Sequence, residues 1–416
     1  MREQQKNISK RRWLVLLFAC LTNLCLGSVY AWSVFAAPMA EYLGTITGTG
    51  ITTADLAIVY TVANSVGPIT MISGGWINDR FGPKKVILTG GVMFGCGMIL
   101  AGLSTSVGML MVTYGLLGGL GLGMAYGCTI SCCVKFFPDK RGLIGGLTTA
   151  AYGFSSVLLP PVIDLLVEKV QVKMAFILVG ITFLLIISVS SLFMFSCPDG
   201  FVPEGWKAPE KQAGGQKETD KDWKEMLKSP IFYLMILLLM SGAFSGMMII
   251  SQASAVGMEM IGLSVAAAGI AVSVLALFNS FGRILAGFLS DKIGRVQTLT
   301  LACFLSVGGN VLLYLCGKGE LILFYIGISI VGICFGAFMG VFPGFTADQF
   351  GAAHNSVNYG IMFIGFAMAG YFGPTIMKNV YYKNGSYTQA FLIAAGLSVA
   401  GIILTVLYRM CKKREK

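Results

Sequence analysis

The sequence predicts an all-α membrane protein with twelve transmembrane helices in two six-helix halves and both termini on the cytoplasmic side. Three observations predict it. Of 416 residues, 56% are hydrophobic and only 12% charged, which is not the balance of a water-soluble chain. Apolar runs of membrane-spanning length fill most of the chain, leaving no room for a large soluble domain. A glycine–aspartate motif also occurs twice, 212 residues apart.

The runs fall near 13–38, 52–77, 85–105, 109–135, 141–166, 172–196, 230–256, 264–290, 296–317, 321–347, 356–381 and 387–410. They are called segments 1 to 12 below. Helices are required because an isolated strand in hydrocarbon leaves its peptide groups unsatisfied, and a barrel would show ten-residue alternation. Segment 1 has a basic flank like a secretory signal, but its apolar stretch is too long for one. The expected organisation is therefore a cytoplasmic tail (1–12), a first half (13–196), a polar central loop (197–229), a second half (230–410) and a cytoplasmic tail (411–416).

Charge supplies the orientation. With the N-terminus inside, twenty-four of the thirty Lys and Arg residues fall on the cytoplasmic side and five on the other, at or beyond segment ends, and Arg283 alone lies deep within a segment. The net charge of +11 thus reads as a topology signal and attraction to anionic lipid, and nucleic acid is not an expected partner.

The repeat supports two halves. Gly75-x-x-x-Asp79-Arg80-Phe81-Gly82 recurs as Gly287-x-x-x-Asp291-Lys292-Ile293-Gly294, each at the cytoplasmic end of an even-numbered segment. Pro161 and Pro374 stand at nearly the same offset. Like elements in like places of two halves are the signature of a parallel repeat about an axis normal to the membrane. Such an aspartate can meet a helix N-terminus or a basic neighbour.

On this motif, with Lys84 and Lys85 following, the sequence resembles the major facilitator superfamily. Further segments resemble its oxalate/formate antiporter and bacterial monocarboxylate transporter subfamily. These are Leu26 to Ser33 (LGSVYAWS), Lys135 to Leu143 (KFFPDKRGL), Glu225 to Pro230 (EMLKSP) and Asn358-Tyr359-Gly360. The resemblance spans essentially the whole chain and implies the major facilitator fold, with alternating access and no enzymatic activity.

Arg283 is the residue with the sharpest chemistry. It lies about two turns from Asp291, roughly 12 Å along the helix from its cytoplasmic end, too deep to snorkel easily. An arginine at bilayer depth costs about 2.5–3.5 kcal/mol, so it should face a water-filled cavity or an anion. Asp164, Glu168 and Glu259 sit near outer ends and Asp55 begins segment 2, so no acid in the segments is placed to pair with it. The missing anion is then a substrate carboxylate, which a guanidinium can hold in bidentate fashion. The resemblance implies the same role for this position. Asn279, one turn earlier on the same face, could hydrogen-bond the second carboxylate oxygen or hold the arginine rotamer. Animal-type monocarboxylate carriers have Asp there, and an amide cannot relay a proton as that acid is proposed to do.

The resemblance also compares Phe366 with a lysine that oxalate carriers use as a second cation. With one fixed charge, a monoanion is balanced whereas a dianion leaves a charge in low dielectric. Tyr30, Tyr126, Tyr152, Phe335 and Met339 match cavity positions of the family and suit a short organic acid, although each could equally pack between helices. Asp79 and Asp291, with Arg80 and Lys292, are the expected cytoplasmic gate, and Glu259 is the candidate for proton coupling.

Other signals are set aside. Cys128, Cys132 and Cys133 lack a partner His, Asp or Glu, so they read as helix packing and no metal is expected. His354, the sole histidine, reads as a loop residue. The glycines of segment 4 lack the strand and acid of a dinucleotide site, and no Walker sequence occurs, so no cofactor is expected. An embedded enzyme would need a base or nucleophile that the segments do not supply. The expected function is transport of a small monocarboxylate of the lactate, pyruvate or formate type, by proton symport or anion exchange, with oxalate/formate-type exchange as the alternative. The expected partners are that carboxylate, protons if coupling is symport, and the lipid bilayer of the inner (plasma) membrane, with the monomer as the working unit.

Overall fold

The computed structural model describes residues 2–198, 200–206 and 220–414. Asp199 and residues 207–219 of the central loop, Gly214 and Gly215 among them, lie outside the described residues, as do Met1 and the last two residues. The described chain is helical nearly throughout. Among the described residues, ten helices are long and apolar enough to cross a membrane: Asn7–Thr47, Pro83–Gly102, Val107–Phe136, Arg141–Leu192, Pro230–Ile261, Val265–Ile293, Arg295–Leu315, Leu321–Phe350, Asn355–Asn384 and Thr388–Lys413.

Two physical details reconcile these ten with the twelve segments. Segment 2 is folded as two shorter helices, Ala57–Ser65 and Gly67–Phe81. Pro68, at the start of the second, has no N–H to continue the ladder and breaks the run. The helix Arg141–Leu192 holds 52 residues, about 78 Å at 1.5 Å per residue and more than twice a bilayer core of roughly 30 Å. It is two helices meeting at Gln171, whose φ of 65° and ψ of 160° are not helical. Segments 5 and 6 are these two pieces.

Ends are set by local chemistry. Ser106 and Ser264 accept from Met109 N and Ala267 N to cap their helices, and Asp222 with Glu225 forms a reciprocal capping box ahead of Trp223–Lys228. The last glycine of each repeated motif has a backbone reason. Gly82 (φ 84°) and Gly294 (φ 98°) end their helices in a conformation that side chains with a Cβ rarely adopt.

The chain divides into two compact units. Unit 1 comprises Met1–Asp139, Ala151–Asp220 and Phe350–Ile361; unit 2 comprises Lys140–Ala150, Lys221–Gln349 and Met362–Lys416. Two short stretches thus belong to a unit other than that of their sequence neighbours: Lys140–Ala150, which opens segment 5, and Phe350–Ile361, which opens segment 11. Inside unit 1, Gly90 and Gly121 let the helices Pro83–Gly102 and Val107–Phe136 approach to backbone contact. Unit 2 buries a chain of hydroxyls and amides (Ser245, Asn310, Ser306, Ser398) linked at 2.9–3.3 Å within a phenylalanine-rich interior.

Candidate functional site

Arg283 is 2% exposed, on the helix Val265–Ile293 of unit 2. Its Nη1 donates to the carbonyl of Thr149 at 2.7 Å, and its Nε donates to Oδ1 of Asn279 at 3.3 Å. Both acceptors are neutral. No carboxylate among the described residues forms an ion pair with it. Asn279 is buried one turn away, as i,i+4 spacing requires.

The arginine is held by close backbone packing. A Cβ on Gly340 would lie 2.9 Å from the Cα and carbonyl carbon of Arg283, and one on Gly336 would lie 2.9 Å from its backbone nitrogen. A Cβ on Gly146 would stand 3.0 Å from the Arg283 carbonyl carbon. Thus Leu321–Phe350 and the start of Arg141–Leu192 press against the arginine-bearing helix, bringing the Thr149 carbonyl within reach. Sequence reasoning missed Thr149, because a backbone acceptor leaves no residue-type signal. The Gly336–Gly340 spacing is the signal that could have revealed the contact.

The aromatic residues form two clusters, one in each unit. In unit 1, the rings of Tyr30 and Tyr152 are 5.1 Å apart and those of Tyr126 and Tyr152 4.8 Å apart. Tyr30 lies in a 3-10 turn, Gly27–Ala31, which interrupts its helix. Gly27 there packs on Ser155 and the Tyr152 carbonyl, fixing the pair. Tyr126 follows a π-helical stretch, Met111–Gly118. In unit 2, Phe366 lies 4.5 Å from Phe363 and 6.3 Å from Phe335. Phe335 and Met339 are buried, and Phe335 fills the space left by the missing side chain of Gly246.

The two motif copies act alike. In unit 1, Gly75 lies against the backbone of Ser356, while Asp79 accepts from Val357 N at 3.4 Å and pairs with Lys135 Nζ at 2.8 Å. In unit 2, Gly287 lies against Gly142, and Asp291 accepts from Gly142 N and Leu143 N at 2.8 Å each. Each motif therefore seats the N-terminal turn of another helix, where free N–H groups and the helix dipole favour a carboxylate. Arg295 pairs with Asp291 at 2.6 Å and Asp348 at 2.8 Å, and Arg141 also pairs with Asp348.

Arg80 and Lys292 do not engage these aspartates. Their cations lie over the rings of Trp76 (4.6 Å) and Phe288 (4.4 Å), one turn back on their own helices. A residue adjacent to the aspartate points about 100° away from it, whereas the residue four back shares its face. Lys135 and Arg295 take the ionic role instead.

Removing the Asp291 acceptors has a direct readout. Charged hydrogen bonds contribute about 1.5–3 kcal/mol each, so in Asp291→Ala amide exchange at Gly142 and Leu143 should quicken roughly 10- to 100-fold. Unchanged protection at both amides would show that the carboxylate does not hold this turn.

Glu259 is exposed in Gly257–Ile261 and hydrogen-bonds to Tyr381. Nearby, the Tyr387 hydroxyl is pushed up to about 12, first by burial and next by the Glu259 charge. No group of three His, Cys, Asp or Glu converges among the described residues as a metal site.

A family model described as "Major Facilitator Superfamily" matches residues 13–374 and 255–416. The uncharacterised MFS-type transporter YhjX of Escherichia coli is 30% identical over 363 residues, covering 87% of this chain and 86% of the relative. An oxalate:formate antiporter of Oxalobacter formigenes is 28% identical over 425 residues, covering 99% and 96%. Human monocarboxylate transporter 12 is 24% identical, covering 97% and 81%. Among solved structures, a double tryptophan mutant of XylE aligns with a TM-score of 0.76 at 15% identity, covering 95% of each chain. The transporter FucP in its outward conformation aligns at 0.70 and 15% identity, covering 95% of this chain and 99% of that one.

Proposed function

The chain belongs to the Major Facilitator Superfamily, and on that premise we propose that this multi-pass membrane transporter carries a small monocarboxylate by alternating access, with Arg283 as the anchor of its carboxylate. The observation that supports this reading most is a buried guanidinium bonded, among the described residues, only to a carbonyl and an amide oxygen. A buried cation without a counter-ion is costly, and a cargo carboxylate would neutralise it. Asn279 orients the fork. The Tyr30–Tyr126–Tyr152 group and the Phe335, Met339 and Phe366 group supply hydroxyls and apolar surface suited to a short acid. Asp79 and Asp291 are the gate, with Lys135 and Arg295 as their cations.

Exchange of a dicarboxylate is the second reading, favoured by the similarity to an oxalate:formate antiporter over nearly the whole chain. Against it stand a sequence with one cation, Arg283, deep in an apolar run, and a phenylalanine at 366. Competition in proteoliposomes tests the choice. Lactate, pyruvate or formate should displace a labelled monocarboxylate at least about tenfold better than oxalate, since an unbalanced buried charge costs several kcal/mol. Preference for the dianion would overturn the assignment.

Glu259 is the coupling acid if transport is proton symport. Uptake that follows internal anion and ignores a pH gradient would instead make the carrier an exchanger. Both termini are assigned to the cytoplasmic face of the plasma membrane from the distribution of Lys and Arg, and the monomer as the working unit.

A further inference from the structure

A cavity of about 570 Å³ opens at the C-terminal end of the last helix, within unit 2 and away from Arg283 in sequence and in lining residues. Its wall is strongly basic: Arg295, Arg409, Lys412 and Lys413 contribute four cations against the single carboxylate of Asp348. That carboxylate is already committed to Arg141 and Arg295 at 2.7 and 2.8 Å. Arg409, Lys412 and Lys413 form no ion pair with a carboxylate among the described residues.

Two of these cations are fixed by neutral groups. Lys412 Nζ donates to Gln349 Oε1 at 3.0 Å and to the Tyr408 hydroxyl at 3.3 Å. The Tyr408 hydroxyl donates to the same Gln349 oxygen at 2.6 Å, and its ring stacks edge-on against Phe345, so the floor is rigid and buried. Arg409 Nη2 donates to Thr300 Oγ1 at 3.2 Å. Held cations without counter-ions around a cavity of this size fit a phosphate-bearing group.

The same helix indicates where that phosphate comes from. Ile403, Val406, Leu407 and Met410 are all exposed, and their i, i+3, i+4, i+7 spacing places them on one stripe running up to the basic residues. In a bilayer such a stripe faces acyl chains, and the cations at its end meet the headgroup layer. We propose that this cavity is a binding site for an anionic phospholipid, with the phosphodiester held by Arg409, Lys412 and Lys413 and an acyl chain along the Ile403–Met410 stripe.

The test uses the purified full-length protein in a neutral detergent, with thermal unfolding titrated by phosphatidylglycerol, phosphatidylcholine or inorganic phosphate. Phosphatidylglycerol should raise the unfolding temperature and the other two should not. The triple variant Arg409→Gln, Lys412→Gln, Lys413→Gln should bind phosphatidylglycerol roughly 100-fold more weakly, since each basic residue near an anionic surface contributes about fivefold. The pair Lys378→Gln, Lys383→Gln, whose cations lie elsewhere, should respond like the parent. Equal stabilisation by phosphatidylcholine, a response to phosphate matching that to lipid, or a triple variant that keeps the parent's affinity would each overturn the site. Should the triple variant fail to fold, native mass spectrometry of Arg409→Gln against the parent gives the same comparison, with less phosphatidylglycerol retained as the supporting result and equal retention as the contrary one.

Discussion

Arg283→Gln is expected to abolish uptake of organic acids while leaving the fold as stable as the parent or slightly more so. Truncating one partner of a buried, hydrogen-bonded charge pair costs about 2–5 kcal/mol, or roughly 30- to 4000-fold in affinity. The loss should appear in both binding and transport. Stability should move the other way or not at all, because the guanidinium is buried with only neutral acceptors among the described residues and its removal relieves a desolvated charge. Arg283→Lys keeps the charge but loses the fork, so its activity should fall between the two. Initial rates in proteoliposomes and melting curves of the same preparations separate the effects. A glutamine variant that moves carboxylates at the parent rate would remove Arg283 from the site.

The second large effect is structural. Gly340→Ala should destabilise the protein by about 1–3 kcal/mol or more, the range for overpacking a close-packed interior. The added methyl would lie 2.9 Å from backbone atoms of Arg283, which cannot rotate away as a side chain can. The two helices must separate, and the reach from Arg283 to the Thr149 carbonyl lengthens with them. Gly396→Ala is the control: it has no heavy atom within 4 Å of the new Cβ, so it should be neutral or gain about 0.5–1 kcal/mol from helix propensity. Thermal unfolding of both variants decides, and an undisturbed Gly340→Ala would mean that this contact is loose.

The helices were readable because hydrocarbon demands long apolar runs, and each run surfaces in the structure. Their ends were less so. Segment 1 continues to Thr47, past Glu41, because a helix leaving the apolar layer can carry charge without penalty. The break at Pro68 falls inside a stretch whose hydrophobicity gives no warning, whereas the break at Gln171 lies in the polar gap, with Glu168 and Lys169, that separates segments 5 and 6 in the sequence. Arg283 was legible because a lone cation in an apolar run has a cost that must be answered. Thr149 was not, since its part is played by a main-chain oxygen. The pairing of Asp79 with Lys135 spans 56 residues of sequence, and nothing local announces it. Arg80 and Lys292 looked like partners by adjacency, but helical geometry turns them onto Trp76 and Phe288.

The stretch of wide turns at Met111–Gly118 decides where this chain can change length without disturbing its aromatic cluster. A wide turn holds about one residue more than an α turn, so deleting one residue there lets the ladder close to i→i−4 bonds while everything beyond keeps nearly its orientation. The same deletion in the regular helix between Gly119 and Ala125 would instead turn Tyr126 by about 100° relative to the residues before it, and off Tyr152. Met111–Gly118 is therefore a slack segment, where related chains can gain or lose a residue and keep Tyr126 in place.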